Sequence, residues 1–498
     1  MNTNFKTRKR KAGYNLLLIL ALFLAAFFTQ SCTSRKGGTV NQFSTDKDGK
    51  EQKSKFSYRF KKHDSADLVI ETGIPAQHID GFGGAFNEAG WEALQILDQQ
   101  SRDTVIKQLF DDKEGAAFNL CRVPIGSSDY ALKRYSHNET QNDYQMKNFS
   151  IERDHKYLLP YIKAALKHQP NLAVWGSAWT PPTWMKDNKS FNSGKFLDDP
   201  KIYQAYALYL AKFIEAYRAE GINLTEVAIQ NEPEVLRPYP TCGWDGEQYY
   251  KFIKNHLGPL FKKKELNAGI MLGTFNNADA LRNYIRPILS DPECNAYISS
   301  VGFQWDGVDI LYDTRQEFPG KRYVQTETEC GNWSWPGKWN EEIPDFVYDR
   351  QKAQNDYSYA VYTFNRVLDY FREGANSYML WNMVLNEKGL NNNEEDSWPQ
   401  NAAIVVDTQT KKAVLTPMYH AFRHFSHYVN KGAHYLPSTS KENFAAAFLN
   451  PDGSIVVVMK NQQSSEKEVN VQFGDKFFSA TLPANSFTTF VAEPALEI

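Results

Sequence analysis

The stretch "IDGFGGAFN" (Ile79–Asn87) decides between two α/β architectures. It reads as a short buried strand opening a series in which β-rich runs alternate with amphipathic ones. A doubly wound open sheet would carry a G-x-G-x-x-G phosphate fingerprint after its first strand. Here the glycines fall at Gly81, Gly83 and Gly84, which lacks that spacing. Working outward, further runs read as strands: "FNLCRVPIG" (118–126), "LAVWGSAWT" (172–180), "EVAIQNEP" (226–233), "AGIMLGTFN" (268–276), "ISSVGFQWDG" (298–307), "RYVQTETE" (322–329) and "NSYMLWNMVL" (376–385). Between most of them lie helical patterns such as "KYLLPYIKAALKHQ" (156–169) and "YQAYALYLAKFIEAYRAEG" (203–221). Eight strands alternating with helices predict a (β/α)8 TIM barrel over 79–407.

After Asp407 the pattern changes. "NFAAAFLNPDGSIVVVMKNQ" (443–462) and "EVNVQFGDKFFSATLPANSFTTFVA" (468–492) alternate apolar and polar residues around turns such as Pro451-Asp452-Gly453. "KFSYRF" (55–60) and "ADLVIET" (66–72) have the same character. Both chain ends, 56–78 and 408–498, are therefore expected to share one side β-sandwich.

The 498 residues are 42% hydrophobic and 14% aromatic, which suits one large domain or two. A formal net charge of −2 offers no electrostatic footprint for nucleic acid. The amino terminus reads as a targeting segment. "KTRKRK" (Lys6–Lys11) precedes the 13-residue apolar run "LLLILALFLAAFF" (Leu16–Phe28), short for a membrane span. "TQSC" follows it, and the placement of Cys32 resembles the lipobox of bacterial lipoproteins, although Thr29 and Gln30 depart from its strictest form. The expectation is a signal peptide over 1–31, lipidation of Cys32 and export to a membrane surface or periplasm. Ordinary signal-peptidase cleavage and an uncleaved anchor are the alternatives. The polar tract 32–55 reads as a flexible tether. Cys121, Cys242, Cys294 and Cys330 remain, as buried thiols or in one of three disulfide pairings. None has the spacing of a metal site, so no metal is expected.

Functional side chains in such barrels gather at the C-terminal ends of strands. Those ends carry Asn87, Asp129, Trp179, Asn231, Glu232, Asn276, Trp305, Glu327 and Trp381. Indoles and carboxylates together suit a carbohydrate site, where rings stack on sugar faces, although a single Trp more often packs in a core. "AIQNEPE" (Ala228–Glu234) puts Glu232 beside an amide at a strand end, and Pro233 turns the chain outward. Glycoside hydrolysis needs two such acids, one protonated for the leaving oxygen and one ionised. "YVQTETECGNW" (Tyr323–Trp333) offers the second, either Glu327 or Glu329, which share one side of a strand.

These motifs make the chain resemble glycoside hydrolase family 30 from about residue 57 onward. The resemblance rests on "DGFGGAFNEA" (80–89), "CRVPIGSSDY" (121–130), "SAWTPPTWMK" (177–186), "QNEPE" (230–234), "QTETECG" (325–331) and "MLWNMVLNEKG" (379–389). It implies the same barrel and sandwich, retention of anomeric configuration and no cofactor. It implies Glu232 as acid/base and Glu327, after a small hydroxyl residue, as nucleophile, with Glu329 the rival. Asp129, Trp179, Asn231 and Trp381 fall on glycone-binding positions. The acidic residue of the first strand motif falls on Asn87 or Glu88. Trp305 is expected to stack at a subsite or to hold the nucleophile's surroundings. Trp184 either packs under the third loop or touches sugar, and His420, His424 and His427 in "YHAFRHFSHYV" are expected to be structural.

The family includes glucosylceramidases, β-1,6-glucanases and xylanases. At the sixth strand, "VGFQWDG" (301–307) has Phe-Gln-Trp where glucosylceramidases usually have a His-Trp-Tyr-type motif. That departure favours the β-1,6-glucan branch, with glucosylceramide or another exo-β-glucoside as the alternative substrate. From a different class, a glycan-binding lipoprotein without turnover would need neither Glu232 nor Glu327.

Overall fold

The computed structural model describes residues 37–60, 65–328, 356–391, 397 and 399–494. The expected signal peptide, Cys32, Glu329 and Cys330 lie outside the described residues. The tract read as a tether is a β-hairpin from Thr39 onward: β1 (Thr39–Asp46) pairs antiparallel with β2 (Glu51–Ser57). Hydropathy missed it for a physical reason. The buried positions of β1 include Gln42 and Ser44, whose side chains bond to the Thr481 carbonyl oxygen (2.9 Å) and Thr488 Oγ1 (2.8 Å). Strand β2 is a nearly fully exposed edge. The short strands β3 (Arg59–Phe60) and β4 (Leu68–Ile70) follow.

The next eight strands close into the barrel in chain order. They are β5 (Gly81–Ala85), β6 (Leu120–Ile125), β7 (Ala173–Ala178), β8 (Leu224–Ala228), β9 (Gly269–Phe275), β10 (Ile298–Gln304), β11 (Arg322–Glu327) and β12 (Ser377–Asn382). Each pairs parallel with the next, and β12 returns to β5. Period-2 alternation sorts the side chains. Leu120, Trp175, Ala228, Met271, Val324 and Met379 fill one layer of the interior. Cys121 and Val123 turn outward into the main core with Phe213 of the helix Pro200–Ala219. That helix starts where it does because Asp199 caps the Lys201 N–H and Pro200 occupies the first turn. The same alternation sends Arg122 and Ser177 inward, one step beyond Leu120 and Trp175 along β6 and β7.

Beyond the barrel, β13 (Val384–Asn386), β14 (Ile404–Asp407) and β15 (Lys412–Leu415) make a small sheet. The helix Pro417–Ser426 then carries Phe422 and Phe425 into the barrel's own core. Residues from 408 to the end of this helix thus pack with the barrel, and the carboxy-terminal strands of the sandwich begin at His434. They are β16 (His434–Leu436), β17 (Ser438–Ser440), β18 (Ala445–Leu449), β19 (Ile455–Asn461), β20 (Lys467–Phe473), β21 (Lys476–Leu482) and β22 (Ser486–Ala492). One sheet runs β16-β18-β19-β22-β1-β2 and the other β17-β4-β20-β21-β3. Both chain ends therefore build the sandwich, around Val40, Leu68, Val457, Val471 and Phe490. His424 joins helix to sandwich, its ring nitrogens 2.8 Å from Thr489 Oγ1 and 3.1 Å from Thr45 Oγ1.

Candidate active site

Arg122 organises the barrel mouth. Its side chain is fully enclosed, and its guanidinium is a rigid fork of donors. Nη1 donates to Glu327 Oε2 (2.9 Å), and Nη2 donates to Asn231 Oδ1 (2.7 Å) and Ser177 Oγ (3.0 Å). The cation lies 4.1 Å from the Trp179 ring centroid and 5.0 Å from that of Trp175. Sequence reasoning passed over this residue. Its signal was an arginine two places after Leu120, and so on the interior face of a barrel strand.

Glu327 ends β11, with Thr328 fixed behind it by bonds to the Met379 carbonyl oxygen (2.9 Å). Glu232 lies just past β8, in a turn where its φ is +49°, uncommon for a side chain of its size. The turn is held by the Glu232 N–H on the Thr274 carbonyl oxygen (3.1 Å) and the Val235 N–H on the Glu232 carbonyl oxygen (3.0 Å). Asn276 Nδ2 donates to Glu232 Oε1 (2.9 Å), and the Tyr239 hydroxyl donates to Oε2 (3.4 Å). The two glutamates thus have different neighbours: a guanidinium for Glu327, an amide and a phenol for Glu232.

The electrostatics follow from burial. Burial pushes the Glu327 carboxyl up to about 8; Arg122 opposes this, while the charges of Glu232 and Asp129 reinforce it. Asp129 is pushed up to about 7, again chiefly by burial, with Glu232 adding to it. Burial also draws Arg122 down to about 10, against the attraction of Glu327 and Glu232.

The expected binding residues converge here. Trp179 and Trp381 stack at 5.1 Å with a 25° interplanar angle, and Tyr130 meets Trp381 edge-on at 6.0 Å. Trp305 packs beside them and lies against Glu327, with φ +51°. Its carbonyl oxygen accepts from Arg366 Nη2 (2.9 Å) and the Tyr370 hydroxyl (3.0 Å). Asp129 is buried, its Oδ1 without a hydrogen-bond partner among the described residues.

Other expectations resolve differently. Asn87 caps the helix Glu88–Gln95 through the Gly90 N–H (2.7 Å) and donates to Asn382 Oδ1 (2.9 Å). Glu88 turns to Arg153, both oxygens at 2.7 Å, and accepts the Leu132 N–H. Neither side chain is left open to a sugar. Trp184 is buried, donates to the Asn138 carbonyl oxygen (3.0 Å) and meets Tyr144 edge-on, so it packs under its loop. Cys121, Cys242 and Cys294 are buried free thiols.

A closed barrel carrying two glutamates at strand ends, beside stacked indoles, is built for glycosidic chemistry. The chain belongs to glycoside hydrolase family 30 and is a glycoside hydrolase: residues 79–429 match that family's TIM-barrel domain and 432–490 its beta sandwich domain. The putative glucosylceramidase 1 of Caenorhabditis elegans is 29% identical over 450 residues, covering 85% of this chain and 82% of that protein. The endo-1,6-beta-D-glucanase of Neurospora crassa is 24% identical over 439 residues, covering 84% and 86%. The solved structure of an endo-beta1,6-glucanase shares the fold with a TM-score of 0.78, at 24% identity over 92% of this chain and 99% of that one.

Proposed function

We propose that the chain is a retaining hydrolase of β-glucosidic bonds, an endo-acting β-1,6-glucanase. The observation that carries the mechanism is the unequal setting of the two glutamates. Arg122 bonds Glu327 directly and stabilises its ionised form against the upward push of burial, and it is the ionised fraction of Glu327 that attacks the anomeric carbon. Glu232, held by neutral donors, protonates the departing glycosidic oxygen. The sugar is then linked to Glu327; Glu232 takes a proton from water, and the resulting hydroxide attacks that carbon and frees Glu327. Trp179 and Trp381 form the platform for the sugar ring, and Asp129 and Asn231 bind its hydroxyls.

The β-1,6 reading rests on Phe303-Gln304-Trp305 at the sixth strand and on the similarity to a fungal endo-1,6-glucanase. A second reading, glucosylceramide as substrate, has in its favour the greater identity to a putative glucosylceramidase. Incubation with polymeric β-1,6-glucan separates them. Short oligosaccharides as first products support the proposal, glucose alone from the outset points to exo action, and cleavage of glucosylceramide with none of the polymer reverses the choice. Export as a lipoprotein acylated at Cys32 is part of the same proposal. Mass spectrometry of the mature amino terminus tests it.

A further inference from the structure

The turn that presents Glu232 carries a second carboxyl two residues on. Glu234 Oε1 accepts the Asn276 N–H at 2.6 Å. Its Oε2 is enclosed and has no hydrogen-bond partner among the described residues. Asn276 is also the residue whose Nδ2 donates to Glu232 Oε1 at 2.9 Å. Asn277 Nδ2 reaches Asn276 Oδ1 at 3.3 Å, which fixes the amide with its N–H₂ toward Glu232. One asparagine is thus gripped through its backbone by Glu234 and through its side chain by Glu232.

An enclosed carboxyl with one oxygen unpartnered is costly to keep for loop closure alone, because burial holds its proton on, up to about 8. Asn276 belongs to the segment after β9 and Glu232 to the segment after β8. The Glu234 contact therefore adds to the Glu232 N–H bond on the Thr274 carbonyl oxygen in tying the two strand ends together. Among the described residues it alone fixes the backbone of the asparagine that touches the reacting carboxyl. We propose that Glu234 is a positioning residue for the proton-transfer step, acting on Glu232 through Asn276. This inference rests on the reading of Glu232 as the acid/base.

Leaving-group dependence tests it, because a dinitrophenyl β-glucoside departs without protonation and an alkyl β-glucoside does not. Glu234→Ala is expected to lower kcat/KM on the alkyl glucoside about 10- to 100-fold, the scale of a misplaced catalytic group, and on the dinitrophenyl glucoside about threefold or less. Glu234→Gln keeps an acceptor for the Asn276 N–H and is expected to restore the alkyl glucoside to within about threefold of the parent. Asn276→Ala should give the same split, and the double variant should be no worse than the worse single one. Equal losses on both substrates, or no loss on either, would overturn the inference. If Glu234→Ala fails to fold, Asn276→Ala carries the test, and a missing split there overturns it too. Glu232→Ala is the reference: without a split in that variant the acid/base assignment itself falls. A split in Glu232→Ala and none in Glu234→Ala removes only the positioning role.

Discussion

Replacing Arg122 by Met keeps much of the side-chain volume and deletes the only cation bonded to Glu327 among the described residues. Breaking a buried pair by removing one partner costs about 3–5 kcal/mol, because the remaining charge is left enclosed. One pKa unit corresponds to about 1.4 kcal/mol, so that energy, felt by the ionised form of Glu327, is worth roughly 2–4 units. The sign is upward, since losing an opposite charge disfavours the carboxylate. Burial already holds Glu327 up at about 8, so the variant holds its proton well beyond the neutral range. The acid limb of the kcat/KM profile should move to higher pH, and activity at neutral pH should fall by about 10²–10⁴. The assay is kcat/KM against pH on an activated β-glucoside, with thermal unfolding on the same samples. A variant that keeps its fold and its acid limb would refute the view that Arg122 sets the charge on Glu327.

Glu327→Ala should lose turnover of activated β-glucosides, with partial recovery in azide as a glycosyl azide of inverted configuration; recovery in Glu329→Ala instead would transfer the role. Trp381→Ala opens the platform above Arg122 and should raise KM at least tenfold for any β-glucoside, as read from initial rates. Burial lowers the pKa of His420 to about 4, and lowers those of His424 and His427 as well. Below about pH 6.5 the unfolded chain binds protons that the folded one refuses, so these groups withdraw stability as pH falls from 6.5 toward 4. His424→Gln, set between Thr45 and Thr489, should flatten the fall of melting temperature between pH 7 and 5, and an unchanged slope would exclude His424 as its source.

The barrel was legible because its strands are nearly continuous apolar runs punctuated by polar strand ends, as parallel strands covered on both faces must be. Glu232, Glu327 and the indoles stood out as unusual chemistry at those ends. What escaped has one physical pattern: polar residues that bury by bonding to each other. Gln42 and Ser44 make β1 look like a solvated linker until Thr481 and Thr488 meet them from the far end of the chain. Arg122 looks like a surface charge until Ser177, Asn231 and Glu327 surround it. Tyr239 and Glu234 sit in loops, where no periodicity says which way a side chain turns.

The pairing of β1 with β22 also has a consequence for synthesis. Val40 lies against Ala492 and Asp46 against Ser486, so the two strands leave the ribosome far apart in time. At about 5–20 residues per second the interval is roughly 20–90 s. Throughout it, residues 39–46 have no β22 to pair with, while the whole barrel is being made behind them. The sandwich therefore cannot close until β22 has been translated.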